Sequence, residues 1–223
     1  MPGREEPLVT NEIYHVFNRG ITDLQTFTNH RDYSRFIDTC KYYLPLPTLL
    51  RFSFFIRLPE SRKNDLLQQV SSKVRVELIA YCLMPNHFHF LLKQQVDEGI
   101  PAFLGLITNS YTRYFNTKNH RVGPIFQGRF KAVRIENEQQ LLHVSRYIHL
   151  NPYSSGLVRK PAELENYPYS SFTEYLYPQA NKICRNDQIL GLFRGSGEYR
   201  DFVLDHSDHQ RQLEYIKHLT LDL

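Results

Sequence analysis

Between Arg75 and Lys93 two apolar runs, VELIAYCLM and FHFLLK, flank a Pro85-Asn86 step, and a chain that carries them must bury a pair of strands. Proline cannot donate to a strand ladder, so pairing stops at that step. The segment reads as a hairpin or as two successive strands with a break. The second run opens with His87-Phe88-His89. Side chains two apart on a strand share a face, so both imidazoles point one way and Phe88 points the other, into the core. Two convergent imidazoles are a natural beginning for a divalent-metal site. An HxH pair alone also suits two polar residues on a strand.

The segments around this pair mix both periodicities. Ile13–Asn18 (IYHVFN) reads as a strand ending in a turn at Arg19-Gly20. His30–Leu44 has helical spacing, with Tyr33, Phe36, Ile37 and Cys40 on one face, and Pro45 and Pro47 stop it. Arg51–Leu58 (RFSFFIRL) reads as a strand and Ser61–Ser71 as a short helix. Ile100–Asn116 reads as a helix with Phe103, Leu104, Ile107 and Tyr111 inward. Pro124–Ile135 alternates like a strand, with Gly128 as a bulge. Glu138–Leu150 reads as a helix ended by Asn151-Pro152. Gln188 to about Leu219 adds one or two helices around the GSG at Gly195–Gly197. Strands and helices do not alternate strictly. The expected class is therefore α+β, an antiparallel sheet with helices packed mainly on one face, plus a C-terminal helical extension. The boundary is drawn at residue 177, with 1–177 as one domain and 178–223 as the extension, free to pack over the sheet or to bind a partner. No internal repeat or low-complexity tract is visible.

Composition narrows the functional class. The chain has 223 residues, 41% of them hydrophobic, enough for a real core. No run is long and apolar enough for a membrane span, and the N-terminal residues lack the apolar stretch and small-residue cleavage site of a secretory leader. Cys40, Cys82 and Cys184 lie far apart with no CxxC, so buried thiols in a reducing, cytoplasmic compartment are expected. The net charge is a modest +4, but its distribution is informative. From Gly99 to Ile135 there is no Asp or Glu, while Arg113, Lys118, Arg121, Arg129, Lys131 and Arg134 fall among Tyr111, Tyr114, Phe115, Phe126 and Phe130. Such a stretch suits a polyanion with stackable bases, and it also suits a solvated helix face. From Asn186 onward the chain tips acidic.

A second constellation lies in RYIHLNP. Tyr147 and Asn151 stand four apart and share a helix face. A tyrosine hydroxyl, with a pKa of about 10, is a poor nucleophile unless nearby charge favours the phenolate. A metal on a phosphate would activate the electrophile, and an Asn oxygen could complete the metal's shell. A half-buried helix aromatic and a turn residue before proline are the plain alternatives.

Taken in order, YHVFNRG, MPNHFHFLL, an acid-free helix, GPIFQGRFK, RYIHLNP and PYSSF resemble the single-tyrosine HUH transposases of the insertion-sequence type, most closely their REP-associated branch. The resemblance runs from about Ile13 to Tyr175. It implies an HUH sandwich with His87 and His89 as the paired histidines, Tyr147 as nucleophile and Asn151 as the third group on Mg²⁺ or Mn²⁺. It implies DNA contacts from Phe126, Gln127, Arg129, Phe130 and Lys131, and base recognition near Asn18, Arg19 and Gly20. Arg113, in the acid-free helix, is a further candidate DNA contact. The implied activity is cleavage and rejoining of single-stranded or hairpin DNA, such as repetitive extragenic palindromes, through a 5′-phosphotyrosine, by a monomer or homodimer. A relative that binds DNA hairpins without cutting, and an RNA-binding protein, are the competing classes.

Overall fold

The computed structural model of the protein describes residues 7–70, 72–177, 182–205 and 207. Its elements are β1 (Ile13–Arg19), α1 (His30–Tyr43), α2 (Phe52–Phe55), α3 (Glu60–Gln68), β2 (Val76–Met84), β3 (His87–Gln94), α4 (Gly99–Lys118), β4 (Lys131–Arg134), α5 (Glu138–Ser154), α6 (Phe172–Leu176), α7 (Asp187–Leu190) and α8 (Ser196–Leu204). Among the described residues four strands make one antiparallel sheet in the order β2-β3-β1-β4. Pro85 and Asn86 form the tight turn between β2 and β3, so the hairpin alternative holds.

The expected α+β class with an antiparallel sheet holds, but its helices cover both faces of the sheet rather than mainly one. On one face Phe88, Phe90 and Leu92 of β3 pack with Phe36 and Cys40 of α1 and with Phe103, Ile107 and Tyr111 of α4. On the other, Ala80, Cys82, Met84 and Leu91 pack with Ile148 and Leu150 of α5, with Phe172 and Tyr175 of α6, and with Tyr199 and Val203 of α8. The reason is legible in VELIAYCLM. A strand buried on both faces loses its alternation, and every β2 residue but Glu77 is buried. The outer edge of β2 is covered as well. Leu83 N donates to Tyr169 O (2.9 Å), Ser171 N to Tyr81 O (2.9 Å) and Arg185 N to Leu78 O (2.8 Å). The PYSSF segment thereby shields an edge that would otherwise offer open pairing groups. Replacing any one of the fully buried phenylalanines, such as Phe88, by alanine carries the usual cost of roughly 3–5 kcal/mol.

Three elements differ from their sequence reading. RFSFFIRL holds the short helix α2, not a strand. Phe52 is buried, and its N–H donates to the Tyr43 hydroxyl (3.0 Å), while Phe54 and Ile56 stay exposed. Its aromatic composition favours a strand, but docking on α1 decides the conformation. In Pro124–Ile135 only Lys131–Arg134 is strand. Gln127 N still donates to Arg19 O at the end of β1, Ile125 O accepts from Ile21 N just beyond it, and Gly128 at φ 31 breaks the run. Finally, α5 does not stop at Asn151 but runs through Pro152 to Ser154. The helices expected over His30–Leu44, Ser61–Ser71 and Ile100–Asn116 are present within a few residues, Ser71 itself lying outside the described residues.

The chain after residue 177 returns to the sheet. His149 of α5, fully buried, sits between the Tyr199 hydroxyl of α8 (Nδ1, 2.8 Å) and Ser171 Oγ (Nε2, 2.8 Å). Glu174 of α6 accepts from Ile183 N (2.8 Å) and Cys184 N (2.9 Å). The sequence-expected helix past residue 207 lies outside the described residues. The three cysteines are free and buried. Among the described residues no helix is long and apolar enough to cross a membrane.

Burial lowers the His149 pKa from 6.5 to about 3. The folded protein therefore excludes a proton that the unfolded chain takes up below pH 6.5. The stability linked to His149 is full above that pH and is lost as pH falls toward 3, by about 1.4 kcal/mol per pH unit. Denaturant melts of wild type and His149→Gln between pH 7 and 4 check this. The variant should start less stable and show a shallower acid slope, and parallel slopes would show that His149 is not the group responsible.

Candidate active site

The β1–β3 register builds the site. Arg19, Phe17 and His15 of β1 stand opposite His87, His89 and Leu91 of β3, all on the face covered by α5. His89 is the hub. Its ring lies 5.1 Å from that of His15 in a stacked arrangement, 5.6 Å from Phe17, and 5.1 Å from His87 at an interplanar angle of 88°. The Tyr147 ring approaches edge-on, 5.5 Å from His89 and 5.8 Å from His15. One helical turn later, Asn151 hydrogen-bonds His87. The match has a metric cause. Four residues advance about 6 Å along a helix and two advance about 6.8 Å along a strand, so one turn of α5 spans the His87–His89 pair. The run of α5 through Pro152 keeps Asn151 on the helix, where its Nδ2 donates to the Tyr147 carbonyl (2.8 Å) and its orientation is fixed.

Each histidine of the pair has its Nδ1 engaged. His87 Nδ1 meets Asn86 Oδ1 at 2.6 Å and His89 Nδ1 meets His15 Nε2 at 2.9 Å. One nitrogen of each ring is thereby anchored. Anchoring one imidazole nitrogen in this way is how metal-binding histidines are commonly oriented. Burial lowers the His87 pKa to about 4, with the Arg19 charge adding to the effect and the Asn151 hydrogen bond opposing it. Burial lowers His15 to about 4 as well. At neutral pH both rings are uncharged. Among the described residues no cluster of three or more His, Cys, Asp or Glu forms a metal cage. The donor set is two imidazoles and one amide, an open shell that fits a catalytic divalent ion with room for substrate oxygens.

The other sequence candidates divide. Arg19 stands at the rim beside His87 and pairs with Asp23 (2.7 Å). Lys131 is exposed on β4 opposite Phe17, on the same face. Gln127 N donates to Arg19 O (2.7 Å), which brings the Gln127–Lys131 segment, with Arg129 exposed, to the same rim. Asn18 is buried and its Oδ1 accepts from Arg19 N (2.8 Å). Gly20 is needed for close approach, since a Cβ there would run into the Leu24 carbonyl. These two shape the turn. Arg113, on α4, lies on the opposite face of the sheet. Sequence reading missed His15 and Asn86. The signal for His15 was its parity, a polar residue at the odd positions of IYHVFN, which only the pairing with β3 brings to His89.

The site thus sets a helix-borne tyrosine over a histidine pair on an antiparallel sheet, and comparison with known proteins gives the family. The sequence profile described as "Transposase IS200 like" matches residues 36–151, more than half of the chain. The protein belongs to the IS200-like transposase family. It is 27% identical over 106 residues to a Haemophilus influenzae protein described as a REP-associated tyrosine transposase, a match that spans 43% of this chain and 58% of that relative's length. Its fold is similar to that of a REP-associated tyrosine transposase solved bound to a REP hairpin, with a TM-score of 0.55, 17% identity, and coverage of 82% of this chain and 90% of the other.

The electrostatics of the site can be read directly. In metal-free protein, histidine ring NMR signals followed from pH 8 to 3.5 should show His15 and His87 titrating near pH 4. A midpoint above 6 for either would mean that the site is not the desolvated pocket described here.

Proposed function

We propose that the protein cuts and rejoins single-stranded DNA flanking a hairpin, with Tyr147 as the nucleophile. The reading rests on one juxtaposition. Tyr147 and Asn151, one turn apart on α5, lie over His89 and His87, two residues apart on β3. Family membership and the hairpin-bound relative of the same fold favour DNA over RNA as substrate.

The chemistry follows from these groups. The Tyr147 hydroxyl attacks a backbone phosphorus in line with the leaving 3′ oxygen. A bond forms between the tyrosyl oxygen and phosphorus, and the bond from phosphorus to the 3′ oxygen breaks. The phenolic proton goes to solvent and the departing oxygen takes one up. A 5′-phosphotyrosine and a free 3′-hydroxyl result. One phosphoester replaces another, so the step is close to isoenergetic, is reversible by a second 3′ end and needs no nucleotide cofactor. His87, His89 and Asn151 would hold a divalent ion, Mg²⁺ or Mn²⁺, which when bound supplies charge stabilisation at a phosphate oxygen. His15 and Asn86 each engage the Nδ1 of one of the two imidazoles and so fix the orientation of its ring. Arg19, Gln127, Arg129 and Lys131 at the rim contact the strand as it enters.

Incubation of a labelled hairpin oligonucleotide with a single-stranded flank and Mn²⁺ should give a covalent protein–DNA adduct. An RNA of equal sequence should give none. Tyr147→Phe removes one oxygen and should abolish the adduct while sparing DNA binding. His87→Ala and His89→Ala should each slow its formation by about a hundredfold or more. Full activity of the wild type in excess chelator would rule out the metal, and an adduct with Tyr147→Phe would rule out this nucleophile.

A further inference from the structure

The turn after β1 sets an ion pair beside the proposed metal site. Arg19, the last residue of β1, stands opposite His87, and its Nε pairs with the Asp23 carboxylate (2.7 Å). Both side chains are exposed, so burial holds neither of them there. The turn between them is firmly seated. Gly20 N donates to Asn86 O (2.7 Å), Ile21 N to Ile125 O (3.0 Å) and Leu24 N to Ile21 O (2.8 Å). It also holds Thr22 at φ 44 and Asp23 at φ 55, left-handed backbone that a β-branched residue rarely adopts. The chain thus delivers a carboxylate to Arg19 at a conformational cost.

Both charges reach His87. The Arg19 cation disfavours positive charge on that ring, and the Asp23 carboxylate favours it. A divalent ion at the histidine pair would feel the same two fields with twice the charge. The donors argued above, His87, His89 and Asn151, are all neutral, and His89 and Asn151 are buried. Neutral donors leave the whole charge of a hard cation uncompensated in a desolvated site. Its anionic oxygen must then come from outside that donor set, and a DNA phosphate is the group brought there for cutting. The same phosphate competes for Arg19. A guanidinium has five N–H donors and matches phosphate oxygens in a fork, whereas an exposed pair such as Arg19–Asp23 is weak.

We propose that the Arg19–Asp23 pair makes metal loading conditional on the DNA strand. Without DNA, the Arg19 charge beside His87 keeps the affinity for a divalent ion low. A backbone phosphate entering the site draws Arg19 away from Asp23, supplies the anionic ligand and leaves the Asp23 carboxylate to add to the field at the ion. Metal and strand then bind with positive coupling, and by linkage the ion tightens the strand by the same factor. This regulation presupposes the metal reading above and deepens it. The cutting centre stays unloaded until a phosphate is in place.

The test measures Mn²⁺ binding through loss of the free-ion EPR signal, on the full chain carrying Tyr147→Phe so that the strand stays uncut. A short single-stranded DNA oligonucleotide is present or absent, and the Mn²⁺ taken up by the oligonucleotide alone is subtracted. The strand should tighten Mn²⁺ binding about tenfold or more. Without DNA, Arg19→Gln should tighten Mn²⁺ about threefold or more, and Asp23→Asn should weaken it by a similar factor. Arg19→Gln should also shrink the gain that the strand gives. A merely structural Arg19 would act in the opposite direction, since a loosened turn weakens the site. Equal Mn²⁺ affinity with and without the strand would overturn the proposal, as would an Arg19→Gln affinity at or below that of the parent without DNA. Mn²⁺ uptake that survives in His87→Ala/His89→Ala would sink the metal reading itself, a result distinct from either Arg19 outcome.

Discussion

The antiparallel register of β1 on β3 governs the rest of the structure. Phe17 opposite His89 and Arg19 opposite His87 fix which side chains face α5. A slip of one residue would turn the partner strand over, sending His15, Phe17 and Arg19 into the aromatic core and bringing Tyr14 and Val16 to the histidines. That slip is opposed by the burial of Tyr14, Val16, Phe88 and Phe90 on the α1/α4 face and by the short Pro85-Asn86 turn. The core on one side thus holds the chemistry in register on the other. The same register gives His89 its neighbour, since His15 reaches His89 Nδ1 only because the two strands are paired at this offset.

The two faces of the sheet differ in chemical character. On the α5 face, desolvated imidazoles and a tyrosine share a small, nearly acid-free site, and His149, Tyr199 and Ser171 tie the returning chain to the inner side of α5. On the α4 face, arginines surround an open groove with an apolar floor. The charge asymmetry of the sequence, acid-free from Gly99 to Ile135, is therefore divided between two places, the groove with Arg113 and the site rim with Arg129 and Lys131.

The chemical residues were legible because their spacings are local. An i, i+2 pair on a strand and an i, i+4 pair on a helix each fix a face without reference to the rest of the fold. That Tyr147 would meet His89, or that Asn151 would meet His87, required order in the motifs and a family resemblance, since the separation in sequence carries no such information. His15 was less legible, because its role is set wholly by a partner strand far along the chain. The two-sided burial of β2 was written in its unbroken apolar run, yet an antiparallel sheet suggested one covered face. RFSFFIRL misled because strand propensity reports fit to a sheet, and among the described residues the four-stranded sheet does not include this segment. The continuation of α5 past Asn151-Pro152 shows that packing can outweigh the preference of a residue before proline for extended backbone.

The most direct measurement of the central claim is to trap the covalent adduct on hairpin DNA with Mn²⁺, digest it, and locate the nucleotide-bearing residue by mass spectrometry. The account predicts a single modified peptide with the nucleotide on Tyr147. Modification of Tyr153 or of any other tyrosine would contradict it, because Tyr147 is the α5 tyrosine whose ring lies against His89 and His15.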